Sequence, residues 1–501
     1  MRSIKRRDFL RLSAGTTAAM LLSQCSRTQP QSSVPQSSIP VSAPIQFKTY
    51  TSKNGLLSLD LEAKAQSVQL GDRTANLLAY NGTVPGPLLE AKPGDAVQIR
   101  FTNQLNQPTN IHHHGLHIPP TDPADNVFLE ISPGESHTYE YQIPDNHPAG
   151  TFWYHPHKHG LVAEQLFGGL AGLFIVRGEL DEIPEIKAAR EEFIVLKDFA
   201  LDSNGNISDT GHMAAMTGRA GGLLTASGQI NPAMTIAQGG LLRLRLLNAS
   251  PSRFFRLSLE EHPLHLIATD GGAIGAPVEL SEIVLAPGER AEVLVQGNQQ
   301  PGDYRLINQP FNPAQGGMMG GGMMGGMMNR NQSSDSAEVV ATLSYDGETE
   351  ETQLPSQLMA VEPLPEPQTT RQFTLNHGMG GGMMGGGMMG GGMVFQINDK
   401  AFAPDRIDTQ VKLDTVEDWE IINTGSMTHP FHVHTNKFQI ISQNGQPASY
   451  PAWKDVVSVS PGETVRIRMA FRDYTGKTVY HCHVLDHEDR GMMGTLEIQP
   501  A

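Results

Sequence analysis

Beyond about residue 45 the chain alternates apolar and polar positions in short runs broken by Gly/Pro turns, with few stretches of helical period. One pattern occurs three times. A polar strand ends in asparagine, in RFTN at Asn103, RLLN at Asn248 and EIIN at Asn423. A turn follows at Pro133-Gly134-Glu135, Pro287-Gly288-Glu289 and Pro461-Gly462-Glu463. Alternating positions then lead through glycine to tyrosine, in GTFWY, GDYRL and GKTVY. Successive strand side chains point to opposite faces, so such runs build sheets with one buried face. Three copies predict an all-β chain of three consecutive Greek-key β-sandwiches with antiparallel sheets. Their expected limits are residues 45–180, 188–346 and 368–501.

The copies diverge after the tyrosine. The first continues HPH, the third HCH, and the second only RLIN. In the third, His481 and His483 flank Cys482, the one cysteine beside Cys25. Strand alternation turns the two histidines one way and the cysteine the other, so one backbone segment can serve two metal sites. His487 and Met492 follow closely. A thiolate, histidines and a long axial methionine are the ligand set of a blue-copper centre. Three further clusters share the His-x-His grammar: IHHHG with His112 and His114, WYHPH with His155 and His157, and HPFHVH with His429, His432 and His434.

On these residues the chain resembles the multicopper oxidase family over nearly its whole length after residue 45, and in particular the bacterial laccase-like enzymes and cuprous oxidases of copper efflux. The resemblance implies cupredoxin-like domains and four copper ions. A type 1 copper would take His429, Cys482, His487 and axial Met492. A type 2 copper would take His112 and His432. A type 3 pair would take His114, His155, His157, His434, His481 and His483. The resemblance also implies dioxygen reduction to water. Electrons would enter where His429 or His487 lies near the surface, and Glu488 and Asp125 would supply protons. In the loop TDPADN, Asp122 competes with Asp125 for that role. His113 stands where the family usually has tryptophan. Strand geometry turns it away from His112 and His114, which makes it a packing substitute. In the second copy the spacing of HPLH puts His262 and His265 on opposite faces, so this domain is expected to be a copper-free spacer that holds the outer domains together and carries packing or surface histidines.

Two Gly/Met tracts, residues 316–328 and 378–393, hold six methionines each of the chain's 22. So much glycine buries no core and holds no helix, which predicts loops. Thioether sulfur suits Cu(I), and the second tract falls where the cuprous oxidases carry a methionine-rich insert. Met379, Met383, Met384, Met388 and Met389 are therefore candidate ligands for substrate Cu(I). So is Met427, at a position where those enzymes place a substrate ligand. Gly425 stands where they have a carboxylate. The other reading of the tracts is low-complexity expansion without function.

Composition narrows the remaining classes. A length of 501 residues suits three domains. With 18% charged and 39% hydrophobic residues the chain is not generally disordered. A net charge of -16 argues against a nucleic-acid partner and suits the attraction of cations. The start, with paired Arg6 and Arg7 before a short apolar run, reads as a twin-arginine export signal over residues 1–25, too short to span a membrane. A periplasmic or extracellular location follows. Leu22-Ser23-Gln24-Cys25 resembles a lipoprotein cleavage box, so Cys25 either carries a lipid anchor or leaves with the leader. Residues 26–44 form a Ser/Pro/Gln-rich tether. The expected protein is a monomeric, exported oxidase that passes electrons from Cu(I) to dioxygen. The alternatives are a laccase for phenols or aromatic amines and a copper-sequestering protein. Neither sequestration nor a copper-free structural role calls for ten clustered histidines and Cys482.

Overall fold

Three buried asparagines set the frame of the fold. Asn103, Asn248 and Asn423 end the strands Ala96–Asn103, Leu241–Asn248 and Thr415–Asn423. Each donates twice through Nδ2 to main-chain carbonyls: Gln107 and Ile131 at 2.9 and 2.8 Å, Arg253 and Leu285 at 2.8 and 2.9 Å, Met427 and Val459 at 2.7 and 2.8 Å. Each accepts through Oδ1 from the second residue onward, Leu105, Ser250 or Gly425. The glycine of each Pro-Gly-Glu turn donates to the asparagine carbonyl at 2.7, 3.0 and 2.9 Å. Its φ of +84°, +84° and +78° is backbone that glycine adopts without strain. The glutamate closes the turn on the N–H of Ser132, Ala286 or Ser460. The threefold sequence pattern is thus one strand-end clamp used three times.

The computed structural model describes residues 39–208, 211, 217–312, 336–379 and 393–501. Their strands form three double-sheet sandwiches, of four and five, six and five, and seven and five strands, over residues 49–176, 190–348 and 369–499. Alternation holds where expected: in Leu56–Leu70, Leu57, Leu59, Leu61 and Ala63 point into the first core. The sheets are mixed rather than purely antiparallel. Leu56–Leu70 runs parallel to Ala96–Asn103, Arg190–Phe199 to Leu241–Asn248, and Thr369–Met379 to Thr415–Asn423. In each pair the connection passes through other strands, and such crossovers bring neighbours together in the same direction.

The outer sandwiches share a second device. His112–His114 pairs antiparallel with Gly150–His155, setting His112 opposite His155. His429–Val433 pairs likewise with Gly476–Cys482, setting His432 opposite His481. Tyr154 and Tyr480 lie against Gly172 and Gly494, where a Cβ would stand 2.2 and 2.5 Å from the ring. Besides one core per sandwich, a shared apolar cluster draws Trp153 and Leu166 from the first, Leu247 and Ala249 from the second, and Leu485 from the third.

Among the described residues no helix is long and apolar enough to cross a membrane. The export signal, Cys25, the tether up to residue 38, the tract 316–328 and residues 380–392 of the second tract lie outside the described residues.

Candidate metal centres

Cys482 ends the strand Gly476–Cys482, His429 opens the strand His429–Val433, and His487 sits in the one-turn helix Leu485–Asp489 that follows the cysteine. The chain reversal between them brings three donor atoms together. Cys482 Sγ lies 3.4 Å from His429 Nδ1 and 3.7 Å from His487 Nδ1, and the two nitrogens are 3.2 Å apart. Met492 is fully buried in the same apolar core. Its carbonyl accepts the Cys482 N–H at 3.0 Å, and its own N–H reaches the His487 carbonyl at 2.9 Å. Burial pushes the Cys482 thiol up and, aided by His377, brings His429 down to about 3. The expectation that His429 or His487 lies near the surface is not met: both are fully buried, and Phe395 stacks on His487 with centroids 3.9 Å apart.

On the other face of the same strand, eight histidines form a closed cage between the first and third sandwiches. His114, His155 and His483 make one triplet, His157, His434 and His481 a second, and His112 and His432 converge with His114 in a third; within each, ligand atoms lie within 4.8 Å of one another. His481 Nε2 is 3.0 Å from His434 Nε2 and 3.2 Å from His157 Nε2, and His114 Nδ1 is 3.4 Å from His155 Nε2.

Outward hydrogen bonds orient these rings. His112 donates Nδ1–H to Asp125 at 2.9 Å, His432 to the Asp455 carbonyl at 2.8 Å, His155 to the Pro156 carbonyl at 2.9 Å and His481 to the Cys482 carbonyl at 3.0 Å. His114 uses the opposite nitrogen, donating Nε2–H to Asp455 Oδ1 at 3.0 Å. His112 Nε2, His432 Nε2, His434 Nδ1 and both nitrogens of His483 are buried without a hydrogen-bond partner. Leaving one such polar atom unsatisfied costs about 1–3 kcal/mol. Desolvation, then repulsion within the cage, holds His114, His155, His432, His434 and His483 far below the ordinary histidine range. A buried cage of imidazoles whose ligand atoms converge in triplets, beside a buried Cys-His-His cluster, fits copper.

The two candidate acids are both at the cage. Asp125 is buried, accepting from His112 and, at 2.8 Å, from the His113 N–H. Asp122 sits at the surface, 3.3 Å from His137. Glu488 is fully buried, with Oε2 3.1 Å from His481 Nδ1 and Oε1 3.6 Å from His157 Nε2, and neither oxygen has a well-aligned hydrogen bond. Burial opposes its ionisation, but interaction with the His481 and His157 rings outweighs that and holds it down at about 2. The His113 ring packs edge-on against Tyr139 and Tyr141. His262 bonds Tyr345 and the Glu260 carbonyl, and neither it nor His265 enters a ligand cluster among the described residues. Met427 is fully buried, and Met379 pairs through its backbone with Met393. Met383, Met384, Met388 and Met389 lie outside the described residues.

Sequence reasoning missed Asp455 and Arg290. Asp455, from the third sandwich, orients both His114 and His432. Arg290, from the second, grips its two oxygens at 2.7 and 2.6 Å. The second sandwich is therefore more than a spacer. A signal was present: after Pro-Gly-Glu the outer copies have Ser136 and Thr464, whereas the middle copy has arginine at a position that becomes fully buried. Nothing comparable marks Asp455.

Models of the multicopper oxidase family match residues 62–181, 194–347 and 366–501. The multicopper oxidase mco of Staphylococcus haemolyticus is 30% identical over 457 residues, 89% of each chain. The cell division protein FtsP of Xenorhabdus nematophila is 30% identical over 442 residues, 86% of this chain and 87% of that one. The solved structure of a multicopper oxidase from Campylobacter jejuni, described as a metallo-oxidase, superposes with a TM-score of 0.78 at 31% identity, covering 92% and 96% of the two chains.

Proposed function

The chain belongs to the multicopper oxidase family, and on that premise we propose that it oxidises Cu(I) with dioxygen outside the cytoplasm and so confers copper tolerance. Four copper ions would be held by these clusters: a type 1 ion by His429, Cys482, His487 and Met492, a type 2 ion by His112 and His432, and a type 3 pair by the two histidine triplets. Bound there, copper supplies one-electron transfer and the four-electron reduction of dioxygen to water. The protein supplies the rest. Cys482 and its chain neighbours His481 and His483 link the two clusters covalently, roughly 3–4 Å per residue along the strand. Asp125 fixes the His112 ring and Glu488 holds a proton-accepting carboxylate against the cage, the two acids that feed protons inward. Burial keeps bulk water from both clusters.

One observation carries the choice of Cu(I) over organic donors. The tract 378–393 springs from the hairpin of Thr369–Met379 and Met393–Ile397, and that hairpin lays Phe395 on His487. Of the tract's thioethers, that of Met393 packs partly buried against the core that holds Cys482 and Met492. The metallo-oxidase neighbour supports the reading, while laccase activity on phenols is the alternative that the same copper sites would serve. A cell-division role like that named for FtsP does not account for the cage. Oxygen uptake by the copper-loaded protein separates these readings. Fast turnover on Cu(I), with phenol oxidation dependent on added copper, supports the cuprous oxidase. Good phenol turnover without added copper and poor Cu(I) turnover makes the protein a laccase. No uptake with either donor removes the oxidase reading.

A further inference from the structure

One cation near the cage takes no part in it. Lys437 stands three residues beyond His434, on the turn between His429–Val433 and Phe438–Gln443. Among the described residues no ion pair or hydrogen bond reaches its ammonium. Burial brings it down to about 7, with Asp455 drawing it back up and Arg290 pressing it further down. Its neighbour Asn436 is 2% exposed, yet neither its amide nitrogen nor its amide oxygen has a partner. An unmatched charge and an unsatisfied buried amide are both costly to keep.

Lys437 and Asn436 line one cleft of about 340 Å³. His117 and His147 of the first sandwich face it, as do Trp453 and Arg472 of the third and the segment 362–365 that leads from the second sandwich to the third. None of the surrounding groups supplies the missing negative charge. Asp473 Oδ2 is already 2.9 Å from His117 Nε2, and His117 donates Nδ1–H to the Thr435 carbonyl at 2.7 Å. His147 accepts the His117 N–H at 3.1 Å and donates to the Pro148 carbonyl at 3.0 Å; burial first, then Lys437, holds it well below the ordinary histidine range. Asp455 is gripped by Arg290 and bonded to His114. Arg472 adds a second positive end, and Glu362 a single carboxylate, both exposed at the cleft. Two cations against one free carboxylate leave a place for one negative charge, while Asp473 and Glu362 would repel a polyanion.

We propose that this cleft is a binding site for a small 2-hydroxy monocarboxylate. Its carboxylate takes the Lys437 ammonium and the Asn436 Nδ2–H, and its hydroxyl donates to Asn436 Oδ1. Trp453 offers an apolar wall for the rest of the molecule. Bound there, the ligand neutralises Lys437 and fastens the turn that begins directly after His434.

Lactate, acetate and inorganic phosphate are the probes, titrated calorimetrically at constant ionic strength into the copper-loaded full chain at pH 6, where Lys437 is charged. Lactate is expected to bind once per chain and more tightly than acetate, which has no hydroxyl. Lys437→Met should weaken lactate binding by about tenfold or more, the loss of one charge-assisted hydrogen bond. Lys437→Arg keeps the charge, controls for folding and should retain most of the affinity. Asn436→Leu should abolish the preference for lactate over acetate. The type 2 copper signal in electron paramagnetic resonance should stay unchanged as the cleft fills, which separates this site from an anion bound to the metal. No lactate binding to the parent, equal affinity in Lys437→Met, or saturation that tracks a change in the copper signal would overturn the proposal. Phosphate bound in preference to lactate, with the same dependence on Lys437, would overturn the assigned ligand class.

Discussion

Glu488 is a buried carboxylate without an aligned hydrogen bond, 3.1 Å from a nitrogen of His481. A group held so at the cage edge serves proton delivery better than structure. Glu488→Gln is expected to lower oxygen uptake at least tenfold, with copper content and blue colour intact; turnover equal to the parent's would remove the role. Burial of the histidines in both clusters carries a second consequence. His157 and His429 are held at about 3, mainly by burial, against an unfolded value near 6.5. The unfolded chain therefore binds more protons between these values, so stability is intact above pH 6.5 and drains as pH falls toward 3. Copper-free protein should show a melting temperature that declines steadily across that window; a flat profile from pH 7 to 4 would contradict the burial argument. At this scale the ligands were legible because the His-x-His period matches a strand. The choice between Asp122 and Asp125 was not, since loop residues have no period and only the fold turns one inward.

The strand-end clamp belongs to the scale of elements. Each asparagine satisfies two carbonyls and one N–H that its own sandwich would otherwise bury unpaired. At about 1–3 kcal/mol for each unsatisfied group, Asn248→Ala should destabilise the middle sandwich by about 3 kcal/mol. Denaturant unfolding followed by several probes would show this, and a loss below about 1 kcal/mol would mean that the clamp only decorates the turn. The clamp was readable because a threefold repeat exposes it. The parallel pairings were not, because alternation shows which face a residue occupies but not which strand lies beside it.

Across the whole molecule the second sandwich reaches the cage through the buried Arg290–Asp455 pair. Arg290 neutralises Asp455, which orients His114 from the first sandwich and His432 from the third. Removing one partner of such a pair costs about 3–5 kcal/mol. Arg290→Ala is accordingly expected to lower the melting temperature and to cost copper at the cage while the blue Cys482 site stays filled. Metal analysis beside the visible spectrum checks this, and full occupancy of all sites would refute it.

The cage takes its histidines from both ends of the chain, His112 and His483 being 371 positions apart. Copper bound there closes a ring through most of the polypeptide. Ring-closure entropy grows only with the logarithm of length, so the great size of this loop adds little to what the ions must overcome. The metal would then act as a clasp on the outer sandwiches, added to the contacts that already join them: Arg290 with Asp455, the shared apolar cluster, Asp489 on the N–H groups of Gly160 and Ala163, and His117 on Asp473.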